Sequence, residues 1–145
     1  MPRYTAGLLH DVGILILATC LPGPSGAVLA RADDERRALA DIERQALGTT
    51  HAEIGAYLLG LWGLCDPVVE AVAYHHAPLQ CLAKTFSALT AVHVANALEQ
   101  ECLTSEEDGP SVGVDTEYLA RLGVAERLPQ WRELSRTKLS EGCER

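Results

Sequence analysis

The sequence has no surplus of basic residues, and this shortage limits what the protein can bind. Its 145 residues contain 12 lysines and arginines against 20 aspartates and glutamates, for a formal net charge of −8 at pH 7. Proteins that bind nucleic acids need clustered positive charge to displace counterions from the phosphates. We therefore expect no nucleic acid partner. The apolar content of 48% is that of a folded globular protein and excludes a disordered chain.

Long apolar runs and paired cysteines are also missing. The longest apolar run extends from Val12 to Leu21 and is closed by Pro22, so it is shorter than the roughly 20 residues that a membrane-spanning helix needs. The five cysteines are scattered without a C-x-x-C pair, and no cleavable signal peptide precedes them. This pattern is typical of a reducing compartment. We therefore predict a cytoplasmic protein with no membrane contact.

Alternating patterns typical of β-strands are absent as well. Nearly every segment has its apolar residues at helical spacing, which predicts an all-α fold of six to seven helices. A proline- and glycine-rich cluster at residues 22–26 is expected to end the first helix, and Thr50 with Glu53 forms a capping box. We assign residues 3–139 to a single domain and residues 140–145 to a frayed tail. A polar loop is predicted at residues 104–113, and Asp66 and Asp115 are the predicted N-caps of the helices that follow them. The helices are predicted at residues 3–20, 27–47, 51–62, 67–76, 82–103, 116–122 and 126–139.

Two polar residues, His10 and Asp11, interrupt a stretch that is otherwise apolar on every side. Leucine, isoleucine and valine cover the whole circumference of a helix over residues 8–17, which predicts burial. A buried polar group without a partner costs roughly 2 to 7 kcal/mol. Other polar side chains must therefore meet this pair inside the protein, and the remaining histidines are the obvious candidates.

All the histidines of the chain fall on predicted helices. Imidazole and carboxylate groups from several helices commonly converge on one metal ion in a bundle, and this donor type suits Fe, Mn, Ni or Zn. The alternatives are an exposed helix face, a helix cap, or an internal hydrogen-bond network without metal. On its helix, His93 shares one face with Thr90 and Asn96. The five histidines are His10, His51, His75, His76 and His93.

Three blocks of sequence, in a fixed order, form a specific pattern. They are GLLHDVG at residues 7–13, HAEIGA at residues 51–56 and DPVVEAVAYHH at residues 66–76. Together they resemble the HDOD domain, the signalling branch of the HD superfamily, which is related to HD-GYP cyclic-di-GMP phosphodiesterases. The resemblance extends over roughly residues 3–139. It implies an HD-superfamily-like helical bundle and a regulatory role in bacterial signal transduction, often beside response regulators, through contacts with signalling proteins.

The resemblance also implies a set of metal ligands. In catalytic members of the superfamily, histidines and aspartates bind metal ions that activate water for phosphoester hydrolysis. In this sequence, His10 and Asp11 correspond to the H-D pair of the catalytic members, and His51 corresponds to the next histidine. His93 falls where the catalytic members have an aspartate, and His76 is the alternative to His75. The candidate ligands, which form an intact or a vestigial site, are His10, Asp11, His51, His75 and His93.

The sequence departs from the catalytic pattern at three points. Ile14 stands where catalytic relatives often have a lysine, and residues 77–80 are APLQ, with nothing like the G-Y-P motif. An early histidine of the family has no counterpart, because only nine residues precede His10. We therefore expect a non-catalytic regulatory module with no required cofactor. The alternative is a metal-dependent phosphohydrolase or phosphodiesterase of the HD superfamily.

The third departure also suggests that the family's N-terminal helices are absent from this chain. Helices that are lost from a bundle leave apolar surface uncovered, and a partner tends to cover such surface. The sequence therefore predicts self-association into a homo-oligomer.

Overall fold

The computed structural model describes residues 2–82, 84–103 and 113–142. These residues contain helices and turns but no strand, which confirms the predicted all-α fold. Among the described helices, none has the length and apolar character needed to cross a lipid bilayer. The loop predicted over residues 104–113 and the end of the tail lie largely outside the described residues. The part of the chain that the structure describes forms nine α-helices: α1 (Pro2–Leu9), α2 (Val12–Cys20), α3 (Pro22–Glu35), α4 (Leu39–Leu47), α5 (His51–Leu61), α6 (Asp66–Tyr74), α7 (Ala88–Leu103), α8 (Thr116–Arg121) and α9 (Leu128–Gly142).

The first predicted helix is in fact two helices. α1 ends at Leu9, and His10 and Asp11 form a turn before α2 begins at Val12. The Asp11 side chain does not cap α2, because its carboxylate instead faces histidines from other helices. The polar pair therefore lies at a helix junction, where both side chains can reach partners that a continuous helix would direct elsewhere.

The second predicted helix is also divided, and its predicted starting point is wrong. Pro22 and Pro24 lie in the first turn of α3, where a helix tolerates proline because the first N–H groups have no helical partner. Arg36 is the C-cap of α3, and its φ of 50° is left-handed. α4 follows after a short turn, and its C-cap is Gly48, whose φ of 74° favours glycine.

Helix ends that depend on local capping were predicted more accurately. The Thr50 hydroxyl accepts a hydrogen bond from the Glu53 N–H at 3.3 Å, and the Glu53 carboxylate accepts one from the Thr50 N–H at 3.2 Å. Asp115 caps α8 in a similar way, by accepting a hydrogen bond from the Tyr118 N–H at 2.9 Å. These contacts confirm the predicted starts of α5 and α8.

Three other boundaries differ from the prediction. Cys65, and not Asp66, is the N-cap of α6. This helix ends at Tyr74, so that His75 and His76 follow it as a turn. The helix predicted over residues 82–103 begins only at Ala88.

The main hydrophobic core lies between α1, α5, α6 and α7. Leu59, Val72 and Leu89 are fully buried in it, and the core continues to α8 through Tyr118. A smaller cluster around Ile42 joins α3 to α4. The helices after residue 78 thus share one core with those before it.

Gly13 lets α2 pack directly on the start of α5. A Cβ added to Gly13 would overlap the carbonyl oxygen of His51 and lie 2.6 Å from its carbonyl carbon. Gly55 faces this contact from α5, since a Cβ there would lie 3.2 Å from the Gly13 nitrogen. The two backbones therefore meet without side chains between them, and this contact brings Asp11 next to His51.

Candidate metal centre

Four polar side chains meet where three helices begin or end. Asp11 precedes α2, His51 is the first residue of α5, and His75 and His76 follow α6. Each offers one ligand atom, and these atoms all lie within 4.8 Å of one another. We call these four residues the His/Asp cluster. The His51 and His75 side chains are buried, whereas the Asp11 side chain is 45% exposed, so the cluster reaches solvent at Asp11.

The Asp11 carboxylate is the centre of the cluster. Its Oδ1 lies 3.4 Å from Nε2 of His51 and 3.5 Å from Nε2 of His75. Its Oδ2 lies 3.2 Å from Nε2 of His10. Burial raises the pKa of Asp11, but the three imidazoles around the carboxylate, His10 first, outweigh it and hold the pKa well below its usual range. The carboxylate is therefore ionised and available to a cation.

Three imidazoles are oriented in the same way, through their Nδ1 atoms. A carbonyl or carboxylate oxygen only accepts a hydrogen bond, so each Nδ1 carries a hydrogen. The Nε2 atom of each ring is then turned toward Asp11. The acceptors are Gly7 O for His10 at 2.8 Å, Glu43 Oε2 for His51 at 2.6 Å and Val72 O for His75 at 2.8 Å.

The Nε2 atom of His75 shows that the cluster suits a metal ion. It is buried and has no hydrogen-bond partner among the described residues, although buried polar atoms normally have one. Two ligands at tetrahedral angles, each about 2.0 to 2.1 Å from Zn²⁺, are about 3.3 Å apart. The distances of 3.4 and 3.5 Å from Asp11 Oδ1 are close to this value. The donor set, imidazoles with one carboxylate, also suits Fe, Mn, Ni or Zn.

A hydrogen bond links His51 to His76. His51 Nε2 and His76 Nε2 are 2.9 Å apart. Burial lowers the pKa of His51, but its bonds to Asp11 and Glu43 outweigh this and raise the pKa to about 9. Burial and the nearby His75 lower the pKa of His76 to about 3. His51 therefore donates this hydrogen bond, and a cation that binds both nitrogens must displace its proton.

His93 is not brought to the cluster, although sequence reasoning proposed it as a ligand. Its Nδ1–H donates to the carbonyl oxygen of His75 at 2.7 Å, and its Nε2 accepts the Asp115 N–H at 2.9 Å. Both ring nitrogens are thus engaged. Burial lowers the pKa of His93 despite its bond to the His75 carbonyl, so the ring is neutral. It connects the end of α6 to the start of α8.

His10 has a supporting position. Its Nε2 contacts the outer oxygen of Asp11, and this hydrogen bond raises the pKa of His10. The structure places His76 in the cluster together with His75, whereas sequence reasoning treated the two as alternatives.

Sequence reasoning missed Glu43, which is only 3% exposed. Its Oε2 accepts hydrogen bonds from Nδ1 and from the backbone N–H of His51. The signal was present in the sequence. Glu43 lies four residues after Leu39 and four before Leu47, on the apolar face of α4 that also carries Ile42.

The fold and the site together define a helical domain built around an H-D pair. The family model of the HDOD domain matches residues 2–78, more than half of the chain, and the chain belongs to this family. No curated protein and no solved structure matches it. The match ends before α7, so the assignment of residues 79–139 to the same domain stays a prediction.

Proposed function

We propose that this chain is a regulatory module of bacterial signal transduction that acts in the cytoplasm by contacting other proteins, without catalysing a reaction. The observation that supports this is the exposed surface formed by α5 and its C-cap, Trp62. Tyr57, Leu61 and Trp62 are 73%, 67% and 65% exposed. Exposed apolar groups that lie together mark interaction sites, and tyrosine and tryptophan are enriched among the residues that contribute most to protein interfaces. We call these three residues the α5 face.

The same helix carries part of the His/Asp cluster, because His51 is its first residue. We propose that the cluster holds one metal ion, bound by Asp11, His51, His75 and His76, although the sequence favoured no cofactor. The bound ion would supply a cross-link between the ends of α2, α5 and α6. The four ligands then fix the position of α5 relative to α2 and α6, and with it the position of the α5 face.

Two features favour regulation over hydrolysis. Ile14 replaces the lysine that catalytic relatives often have after the H-D pair, which removes a cation for binding a phosphate. The His51 and His75 side chains are buried, whereas the Asp11 side chain is 45% exposed. A substrate therefore cannot reach the cluster past His51 or His75. A net charge of −8 further favours a protein partner over a nucleic acid.

Replacing both aromatic residues of the α5 face is expected to abolish partner binding without unfolding the protein. The Tyr57→Ala/Trp62→Ala variant removes exposed side chains, and exposed substitutions usually change the free energy of unfolding by less than about 0.5 kcal/mol. The measurement is affinity capture from the native cytoplasm with wild type and variant, followed by a direct Kd for each protein that only the wild type retains. A tyrosine or tryptophan that is a hot spot of an interface contributes about 2 kcal/mol or more, about 30-fold in Kd.

Leu134→Ala is the matched control, because Leu134 is an exposed apolar residue on another helix, α9. Gel filtration of the same variants tests self-association. A dimer that the double variant loses identifies a second copy of this chain as the partner. Equal Kd values for wild type and double variant would rule out the α5 face as the interface.

A metal-dependent phosphohydrolase is the second candidate, favoured by a cleft beside the cluster. The cleft has a volume of about 400 Å³, and His76 and Arg44 are among its lining residues. Hydrolysis of cyclic-di-GMP or of a generic phosphodiester by the metal-loaded protein, abolished by Asp11→Ala, would reverse the ranking of the two functions.

A further inference from the structure

Glu43 is a buried carboxylate that binds a single residue through two hydrogen bonds. Its Oε2 accepts the backbone N–H of His51 at 2.8 Å and the Nδ1–H of the same residue at 2.6 Å. The side chain is 3% exposed. Its carboxylate lies at the start of α5, where free backbone N–H groups and the helix dipole stabilise a negative charge.

The two hydrogen bonds fix both the rotation and the tautomer of the His51 ring. Because the acceptor bonds the backbone and the ring together, the ring cannot turn away without losing the bond at Nδ1. With Nδ1 protonated, the Nε2 atom is directed toward Asp11 Oδ1, 3.4 Å away. The orientation that a metal ligand needs is therefore imposed from α4, a helix that contributes no residue to the His/Asp cluster.

Glu43 differs from the other two acceptors that orient imidazoles around Asp11. His10 and His75 each donate Nδ1–H to a backbone carbonyl, of Gly7 and Val72 respectively, whereas His51 donates to a carboxylate. A carboxylate behind an imidazole fixes the ring and makes its other nitrogen a stronger donor to a metal ion. Of the three rings, His51 is thus the one whose Nδ1–H bonds a carboxylate, although a cation at its Nε2 must displace the proton shared with His76.

We propose that Glu43 is the positioning residue of the metal centre: it holds His51 Nε2 toward the cluster, strengthens it as a donor, and so sets the metal affinity without touching the ion. This inference rests on the proposed metal site. It assigns a role to a residue outside the H-D pattern, on the helix pair α3 and α4 that packs beside the site.

The test is the Zn²⁺ affinity of Glu43→Gln and Glu43→Ala, measured by competition with a coloured chelator. Glutamine keeps the size and one acceptor oxygen but removes the charge, and alanine removes the acceptor itself. Loss of such a supporting partner typically lowers metal affinity 10- to 100-fold. We expect Glu43→Gln at the lower end of this range and Glu43→Ala at the upper end. If Glu43→Ala does not fold, Glu43→Gln alone decides.

Glu53→Gln is the matched control. Glu53 also joins α4 to α5, through two hydrogen bonds from Arg44 at 2.8 and 2.7 Å, but this pair lies at the surface and does not touch His51. The second control, Ile42→Val, loosens the buried face of α4 next to Glu43 without altering a hydrogen bond. Both controls should bind Zn²⁺ within about twofold of wild type, well inside the 10-fold effect expected at Glu43.

A spectroscopic measurement separates positioning from a general structural role. In the Zn²⁺-loaded wild type, the Nδ1–H of His51 should exchange slowly and give a distinct ¹⁵N-coupled proton signal. Glu43→Ala should lose that signal while the Nδ1–H signal of His75 remains.

The outcomes are distinguishable. Glu43 variants that bind Zn²⁺ as tightly as wild type, or that lose no more affinity than Ile42→Val, overturn this inference alone. A wild-type protein that takes up no Zn²⁺ overturns the metal site and the inference together.

Discussion

Gly13→Ala is expected to unfold the protein or to lower its free energy of unfolding by more than about 4 kcal/mol, a range reached only by severe substitutions. The added Cβ would overlap the carbonyl oxygen of His51 and lie 2.6 Å from its carbonyl carbon. Both groups belong to backbone, so no change of rotamer relieves the clash. Urea denaturation followed by circular dichroism measures the effect.

Gly7→Ala is the control for this substitution. Gly7 also lies in a helix, but a Cβ added there meets nothing within 4 Å. Alanine has a higher helix propensity than glycine by up to about 1 kcal/mol, so the control should equal or exceed the stability of wild type. A Gly13→Ala variant as stable as Gly7→Ala would mean that α2 does not pack on the start of α5 as described.

The same contact explains why a glycine follows the H-D pair two residues later. Only a residue without a Cβ allows the α2 backbone to approach His51, and this approach sets the distance of 3.4 Å between Asp11 Oδ1 and His51 Nε2. The stability of the fold and the geometry of the site therefore both depend on the absence of a Cβ at Gly13. A partially folded Gly13→Ala variant should lose metal binding together with stability.

The sequence predicted those features of the fold that depend on local interactions. The Thr50 and Asp115 side chains cap helices by accepting hydrogen bonds from backbone N–H groups three residues later, and apolar spacing identified the helices around them. The break at His10 and Asp11 was missed because it depends on partners from α5 and α6. The predicted helix end at Cys20, before Pro22, is confirmed, but the start of the next helix was placed too late, because proline is also compatible with the first turn of a helix.

The candidate site was predicted in part for a similar reason. A polar pair in an apolar stretch indicated that His10 and Asp11 had buried partners, and the histidines were the right kind of partner. Sequence could not show that both nitrogens of His93 are engaged, since one bond goes to the backbone of His75 and the other to the backbone of Asp115. Because nearly every residue type has the same backbone groups, the sequence does not indicate which of them a side chain will bond.

His75→Leu is expected to abolish the stabilisation that metal gives to the wild-type protein. A ligand that binds only the folded state adds about 4 kcal/mol at a free concentration 1,000 times its Kd. Wild type should show this gain in urea denaturation with Zn²⁺ or Mn²⁺ and retain near-stoichiometric metal in elemental analysis. His75→Leu and Asp11→Ala should show neither. His93→Ala should keep the gain from metal, although its overall stability falls by about 2 to 4 kcal/mol as two buried hydrogen bonds are lost.

The metal-free state makes the His75 variant decisive. Leucine removes a buried Nε2 that has no hydrogen-bond partner among the described residues, but it also removes the hydrogen bond from Nδ1–H to the Val72 carbonyl. Metal-free His75→Leu should therefore be less stable than metal-free wild type by about 1 to 3 kcal/mol, and only the additional difference that appears with metal reports coordination. Trace metal in wild type and in Asp11→Ala alike would instead mean that Asp11 is held by hydrogen bonds alone. The cluster would then contribute to packing, and regulation would depend on the α5 face without a metal ion.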